Sequence, residues 1–410
     1  MKILYVHQYF ITPAQHGGTR SYEFAKHLMS RGHEVTMITS GLQNTEFPVK
    51  AGDKVTEHDC DGIRVLSIAA GYNDARRGTG MGGFARMRNF LRFANLATKV
   101  GKTVAKPDII LCSHTPLTVG LTGIRLKKHF GVPFVFEVRD LWPDALINIG
   151  ALRNPLAIWF LRRMERRAYD GADHIVALSP GMKLGVCRQG VAEEKVSVIP
   201  NSSDLELFHP DIDGSEHRER LGLRGKFTAI YFGAMGLANG LDYALEAANI
   251  LKRRERDDIV LVLHGEGGMK SDLKARAAHA NLTNVIFSDS LPSKQEVSRV
   301  VASCDVCMTI YKATKEVTWS PNKMFDALAA GKPVLINVGQ WLGETIEENG
   351  CGISCSPEDP TDLADALEKL SADPHLRARM GRNSRALAEN EFDRKKLAAR
   401  LENVLAETLS

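Results

Sequence analysis

The residues best placed by type and spacing to do chemistry lie in Thr318-Trp-Ser-Pro-Asn-Lys-Met-Phe-Asp-Ala-Leu-Ala-Ala-Gly-Lys-Pro-Val-Leu335. A polar loop runs into a helix that carries Lys323 in its first turn and Asp326 one turn on, and Gly331 stops the helix before Pro333 and the apolar run Val334 to Val338. Such a loop aims free backbone N–H groups and the positive helix end forward, so an anion is the natural guest and Lys323 adds a cation to it. The acid at Asp326 suits the hydroxyls of a ribose. Small-residue helices ending in Gly-x-Pro also serve as plain α/β architecture, and that reading stands beside the chemical one.

Other chemistry-bearing residues recur just past apolar, strand-like runs. Ile3 to Val6 leads into His7-Gln-Tyr-Phe-Ile-Thr-Pro-Ala-Gln-His-Gly-Gly-Thr-Arg20, with Gly17 and Gly18 at the start of a helix expected from Thr19 to Arg31. Two glycines there let backbone N–H groups approach a diphosphate, although a tight turn asks for the same pair. His114 follows the run Pro107 to Cys112, where it is either ligand-facing or structural. Glu137, Arg139 and Asp140 close the strand begun at Val132, and charges at that point must pair or face a polar cleft. Ile259-Val-Leu-Val-Leu-His-Gly-Glu-Gly-Gly268 ends a strand in a glycine-rich turn, which sets Glu266 against sugar or ribose hydroxyls or against water.

Groups at so many strand ends need a scaffold that gathers those ends. Strand-like runs at Gly32–Thr39, Ile63–Ile68, Ala172–Pro180 and Val196–Ile199 alternate with helical segments, and the same rhythm restarts at Phe227–Phe232 after a polar stretch from Asp211 to Arg224. That alternation predicts doubly wound parallel sheets of the α/β class. A chain of 410 residues is too long for one ordinary core, so two domains are expected. Composition is that of a soluble globular protein, 44% hydrophobic and 25% charged. The net charge of +4 is small for this length and implies no nucleic-acid partner.

No apolar run reaches the roughly 18 residues of a spanning helix, and Met1 opens directly on a strand, so a cytoplasmic location is expected. The seven cysteines are scattered and odd in number, which argues against a disulfide framework. Cys304-Asp-Val-Cys307 has metal-like spacing but sits in an apolar strand pattern without a second pair, so no metal and no cofactor is expected.

Two helical stretches are basic. Phe84 to Lys106 contains no acidic residue; Arg86, Arg88 and Arg92 alternate with Phe84, Met87, Phe90 and Leu91 at helical spacing, and Phe93 follows. Pro155 to Asp170 carries Trp159, Phe160 and Leu161, then Arg162, Arg163, Arg166 and Arg167. Basic amphipathic helices with aromatic residues fit the surface of an anionic membrane, and the glycines at 78, 80, 82 and 83 suggest a mobile approach to the first. A solvated helix whose apolar side faces the core would carry the same pattern.

On Asp326, the Ala-Leu-Ala-Ala-Gly-Lys-Pro-Val run and its general plan, the whole chain resembles the retaining family 4 glycosyltransferases of GT-B fold. The resemblance implies two Rossmann-like domains facing across a cleft: an acceptor-binding domain over 1–205, a nucleotide-sugar domain over 206–390, and a helix over 391–410 crossing back to the first. It implies donor contacts at Gly17, Gly18, Asn201, Gly233, Glu266, Leu291, Pro321, Asn322, Lys323 and Asp326, and catalytic work by His114, Asp140 and Lys323. The family's first acid falls on Thr318, its second on Asp326, and the basic clamp it places after strand Phe227–Phe232 falls on Ala234 and Asn239. With no metal-binding Asp-x-Asp to supply charge, Lys323 is expected to take over the clamp's role.

His7-Gln-Tyr-Phe, Gly17-Gly-Thr-Arg-Ser-Tyr-Glu-Phe-Ala25 and Ser320-Pro-Asn-Lys323 look most like the subgroup that builds bacterial surface polysaccharides on polyprenyl diphosphate, including N-acetylfucosamine transferases. The expected activity is transfer of an N-acetylated hexosamine or deoxyhexosamine from a UDP-sugar to a polyprenyl-diphosphate-linked saccharide at the inner face of the cell membrane. Arg86, Arg88, Phe90, Arg92, Phe93, Trp159, Arg162 and Arg163 would meet membrane or acceptor. Two rivals remain: a sugar-nucleotide 2-epimerase of the same fold, and a non-enzymatic membrane-surface binding protein.

Overall fold

The computed structural model describes residues 1–410 apart from 16, 43, 71–82, 149, 292 and 315. The glycines at 78, 80 and 82 and the proline at 292 therefore lie outside the described residues. The chain forms two compact units, one of Met1–Pro200, Thr318–Ser320 and Lys395–Ser410, the other of Asn201–Val317 and Pro321–Arg394.

The first unit holds β1 (Lys2–His7), β2 (Glu34–Ser40), β3 (Val55–Cys60), β4 (Ile63–Ile68), β5 (Ile109–Ser113), β6 (Phe134–Val138), β7 (His174–Ala177) and β8 (Val196–Val198). They make one sheet in the order β3-β4-β2-β1-β5-β6-β7-β8. All pairs are parallel except β3 with β4. Strands buried on both faces read as continuous apolar runs, and Ile3–Val6, Ile109–Cys112 and Phe134–Phe136 are buried throughout. The edge strand β3 escaped the sequence reading because it alternates: Thr56 and Cys60 turn inward while Glu57 and Asp59 face water.

Helices cover both faces. The helix Arg20–Ser30 buries Phe24, Ala25 and Leu28 on one side, joined by Leu397, Leu401 and Leu405 from the helix Arg394–Leu409. Glu402 on that last helix receives His27 at 3.2 Å and His33 at 3.0 Å. The helices Gly83–Gly101 and Pro155–Gly171 lie on the other side, where Phe93, Ala97, Leu161, Met164 and Ala168 are core residues.

The second unit holds β9 (Phe227–Phe232), β10 (Ile259–His264), β11 (Val285–Ser288), β12 (Val306–Thr309), β13 (Val334–Ile336) and β14 (Gly352–Ser354), in the wholly parallel order β11-β10-β9-β12-β13-β14. In each unit the chain winds one way from its first strand, then restarts on the other side: β5 lies beside β1, and β12 beside β9. Ligands of doubly wound sheets collect at the carboxyl ends flanking such a reversal.

A buried ion pair ties the first unit together at that edge. Arg20 Nε donates to Glu137 at 2.7 Å, its other nitrogens reach the carbonyls of Ile199 and Pro200, and the Ser113 hydroxyl donates to the second Glu137 oxygen. Burial alone would raise the Glu137 carboxyl; Arg20, Arg139 and the hydrogen bonds hold it below the usual carboxylate range. Removing one partner of such a pair costs about 3–5 kcal/mol. Arg20→Met is therefore expected to lower the protection of β1, β5 and β6 amides in native-state hydrogen exchange by that amount, and to leave the strands of the second unit unchanged. Equal protection in the variant would remove Arg20 from this role.

Candidate active site

In the second unit two glycine turns meet at the carboxyl ends of β9 and β10. Gly233 has φ 136° and Gly265 φ 139°; a Cβ on Gly265 would stand 2.0 Å from the Gly233 carbonyl oxygen, so no side chain fits between the turns. The Gly233 N–H donates to His264 O at 3.0 Å and Met235 N–H to Glu266 O at 2.8 Å, locking them together. Lys323, in the first turn of the helix Asn322–Ala329, reaches this place from the far side of the strand-order reversal. A Cβ on Gly233 would come 3.4 Å from Lys323 Cε.

Lys323 is held by aromatic groups. Its Nζ donates to the Tyr231 hydroxyl at 2.6 Å, lies 3.9 Å from the centroid of that ring and 5.0 Å from that of Tyr311. The Tyr231 hydroxyl donates in turn to Ala234 O at 2.6 Å. Among the described residues no carboxylate pairs with Lys323, and burial pushes its ammonium down to about 7. The ring faces attract the charged form, burial outweighs them, and a nearby anion would restore the proton. Asp326, three residues on, is 6% exposed, and its Oδ1 meets no partner among the described residues. Burial pushes its carboxyl up to about 6.

The other residues expected to contact a donor are placed as follows. Pro321 is buried at the head of the helix, Asn322 is exposed beside it, and Leu291 is half-buried in the loop after β11. Asn201 is buried at the start of the unit. Glu266 is engaged: Lys270 Nζ bridges it and Asp289 at 2.6 Å each. Asn239, where a basic residue was looked for, instead accepts the Gly236 N–H at 3.1 Å and shapes its own turn. The sequence reading missed Tyr231 and Tyr311, whose only signal is a tyrosine in each apolar run flanking the reversal.

In the first unit β1, β5 and β6 bring His7, His114, Arg139 and Asp140 to one edge. His7 meets Ser21 at 2.8 Å and Arg139 at 3.4 Å. The His114 N–H donates to Glu137 O at 2.8 Å, and its ring sits edge-on to Trp142 and Phe136 with centroids 5.7 and 6.3 Å away. Burial, helped by Arg139, pushes its imidazole down to about 3. Burial therefore favours a neutral His114, one donor and one acceptor, around neutral pH. Asp140 is exposed just past β6; desolvation by the protein nearby raises its carboxyl to about 6, with Arg139 pulling the other way. Gly17, φ 144°, and Gly18 precede the helix Arg20–Ser30.

The two basic helices require a correction. Phe90 and Phe93 face the core, 4% and 0% exposed, and the Phe90 ring packs against Trp142 at 5.8 Å, so neither can meet a membrane. Arg162 is not free: it grips Asp144 with two nitrogens and Glu165 at 3.5 Å. Arg86 is half-buried, while Arg88, Arg92, Arg163 and Trp159 are exposed, together with Phe84, Leu156 and Phe160 near the starts of the two helices. The apolar stripe of the first helix serves mainly as core, and a surface role is left to its amino-terminal end.

Comparison with known proteins agrees with this architecture. The Glycosyl transferase 4-like domain matches residues 17–202 and the Glycosyl transferases group 1 domain residues 213–387. WcaI of Escherichia coli K12, named for colanic acid biosynthesis, is 24% identical over 83% of this chain and 85% of its own length. Among solved structures, a sucrose-phosphate synthase of Thermosynechococcus elongatus superposes with a TM-score of 0.78 at 18% identity, covering 99% of this chain and 98% of its own. HepE of Anabaena, solved with UDP, does so at 0.73 and 17%, covering 99% and 100%. The chain belongs to the family 4 glycosyltransferases of GT-B fold, and it is a glycosyltransferase.

The shifted pair Lys323 and Asp326 leaves a pH signature. Between pH 3.8 and about 6 the folded Asp326 holds a proton that the unfolded one has lost, so stability falls as pH rises. Between about 7 and 10.5 the unfolded Lys323 holds the extra proton, so stability rises with pH. Urea unfolding of the second unit should pass through a minimum near pH 6–7; Asp326→Asn should flatten its acid limb and Lys323→Met its alkaline limb. Unchanged limbs in the variants would refute the assignment.

Proposed function

We propose that this glycosyltransferase is a retaining enzyme that takes a UDP-sugar as donor and a polyprenyl-diphosphate-linked saccharide as acceptor, in the assembly of a bacterial surface polysaccharide. The observation that carries the reading is Lys323, a cation set on two aromatic rings against Gly233 with no carboxylate partner among the described residues. A diphosphate there would meet Lys323 and the amino end of the helix Asn322–Ala329. Asp326 would take the ribose hydroxyls with its unpartnered oxygen. Uridine as the base is supported by HepE, which was solved with UDP on the same fold. Surface polysaccharide as the product is supported by WcaI.

The chemistry follows from where charge develops. As the bond between the anomeric carbon and the diphosphate oxygen breaks, negative charge grows on the leaving phosphate, where Lys323 and the helix end stabilise it. The acceptor hydroxyl bonds the anomeric carbon on the face the phosphate leaves, and its proton passes to a phosphate oxygen. His114 and Asp140 would position the reacting sugars. Neutral His114 orients hydroxyls by hydrogen bonding and does not take up charge.

Among the described residues no helix is long and apolar enough to cross a membrane. Exposed Trp159, Phe160, Leu156 and Phe84, with Arg88, Arg92 and Arg163 on the same helices, fit shallow docking on an anionic inner membrane face, where the acceptor lipid lies.

Product mass and nucleotide release, with UDP-sugars offered with and without a polyprenyl-diphosphate-linked N-acetylhexosamine, test the whole reading. Lipid-dependent release of UDP with one sugar added to the lipid, and its anomeric configuration retained, is the expected result; an acceptor-independent change in the sugar nucleotide would make the chain an epimerase. UDP binding at pH 8 should draw up to one proton onto Lys323, seen as a buffer-dependent heat in calorimetry, and Lys323→Met should abolish that uptake. Tight UDP binding by the variant without proton change would leave the diphosphate site elsewhere.

A further inference from the structure

Gln8 is the first residue past β1, and its place is rigid. Its carbonyl oxygen accepts from the Ser40 N–H and the Thr39 hydroxyl, both at 3.2 Å, which pins the backbone against β2. The side chain is 1% exposed, yet neither Nε2 nor Oε1 meets a partner among the described residues. The neighbouring strand repeats the pattern. The β1–β5 ladder ends on the pair His7 with Ser113, and Gln8 and His114 are the residues that follow that last pair. His114 is also 1% exposed, pinned between Phe136 and Trp142, with neither ring nitrogen partnered among the described residues.

Folded proteins leave few buried polar atoms unpaired, because each has given up water for nothing. Four such atoms on two side chains that follow neighbouring strand ends, at the strand-order reversal of the sheet, mark a place built for a ligand. Their chemistry narrows it. A carboxamide offers one donor end and one acceptor end, and a neutral imidazole likewise offers one of each. A ligand that only accepts would leave the two acceptors unpaired, and one that only donates would leave the two donors unpaired. A group that both donates and accepts satisfies them, and a saccharide carries such groups as hydroxyls or an acetamido substituent.

We propose that Gln8 is a saccharide-recognition residue which, with His114 past the end of the adjacent strand, reads a hydroxyl or acetamido group of a reacting sugar at the carboxyl edge of the first unit's sheet. This rests on the transferase reading above, in which His114 positions the reacting sugars. It gives a role to Gln8, which the His7-Gln-Tyr-Phe run contains without one.

The test uses the full chain, saturated with UDP, and saturation-transfer NMR with the methyl glycosides of N-acetylglucosamine, glucose and galactose. Gln8→Met keeps the length of the side chain and removes both polar ends. The expected result is that at least one glycoside binds the wild-type chain and that the variant binds it roughly 5- to 150-fold more weakly, the loss of two neutral hydrogen bonds. Its melting temperature should be equal or higher, because no internal bond has been lost. Stronger binding of the N-acetylglucosamine glycoside than of the glucose one assigns the acetamido group, and equal binding assigns a hydroxyl. Equal glycoside binding by variant and wild type, no glycoside binding by the wild type, or a lowered melting temperature in the variant would each overturn the proposal. If the chain binds no UDP but glycoside binding still depends on Gln8, the donor reading falls and this one stands.

Discussion

A parallel sheet covered by helices on both faces has only one kind of place where polar side chains can gather, the edge where strands end and the chain turns out of the core. Both units of this protein are built under that constraint. Crossovers leave β1 in one direction and later strands return on the other side through β5; β9 and β12 repeat the arrangement. The residues with chemical potential lie where those reversals put them: His7, Gln8, His114 and Arg139 at one edge, and Gly233, Tyr231 and Lys323 at the other.

The two edges handle dry charge differently. In the first unit the buried guanidinium of Arg20 and the carboxylate of Glu137 neutralise one another, with further carbonyl and hydroxyl partners, and His114 stays uncharged. In the second, Lys323 is stabilised by the faces of Tyr231 and Tyr311, which attract a cation without cancelling its charge. Lys270 in the same unit is the contrast: gripped by Glu266 and Asp289, it is already satisfied and has less to offer an incoming anion. A carboxylate beside Lys323 would compete with the anion, and the aromatic setting avoids that competition.

The absence of basic residues at Ala234 and Asn239 becomes intelligible in this light. Tyr231, held by Ala234 O on one side and Lys323 on the other, sets the lysine beside the Gly233 turn. Asn239 closes a tight turn through Gly236. Lys323, from the far strand, lies beside the Gly233 turn.

The sequence by itself determined the class of fold, the glycine turns at the ends of β9 and β10, and the pairing of a cation and an acid one helical turn apart at Lys323 and Asp326. All of these are local, carried by apolar runs, by the period of a strand or helix, and by glycines the backbone demands. Tertiary structure alone decided which side of the helix Gly83–Gly101 faces the core, burying Phe90 and Phe93 where a surface role had been expected. It likewise engaged Arg162 with Asp144, set Lys323 on a tyrosine 92 positions away, and left Gln8 buried without a partner among the described residues. Each of these depends on a partner, or on the want of one, far along the chain, and spacing within a segment carries no information about what the fold will bring against it.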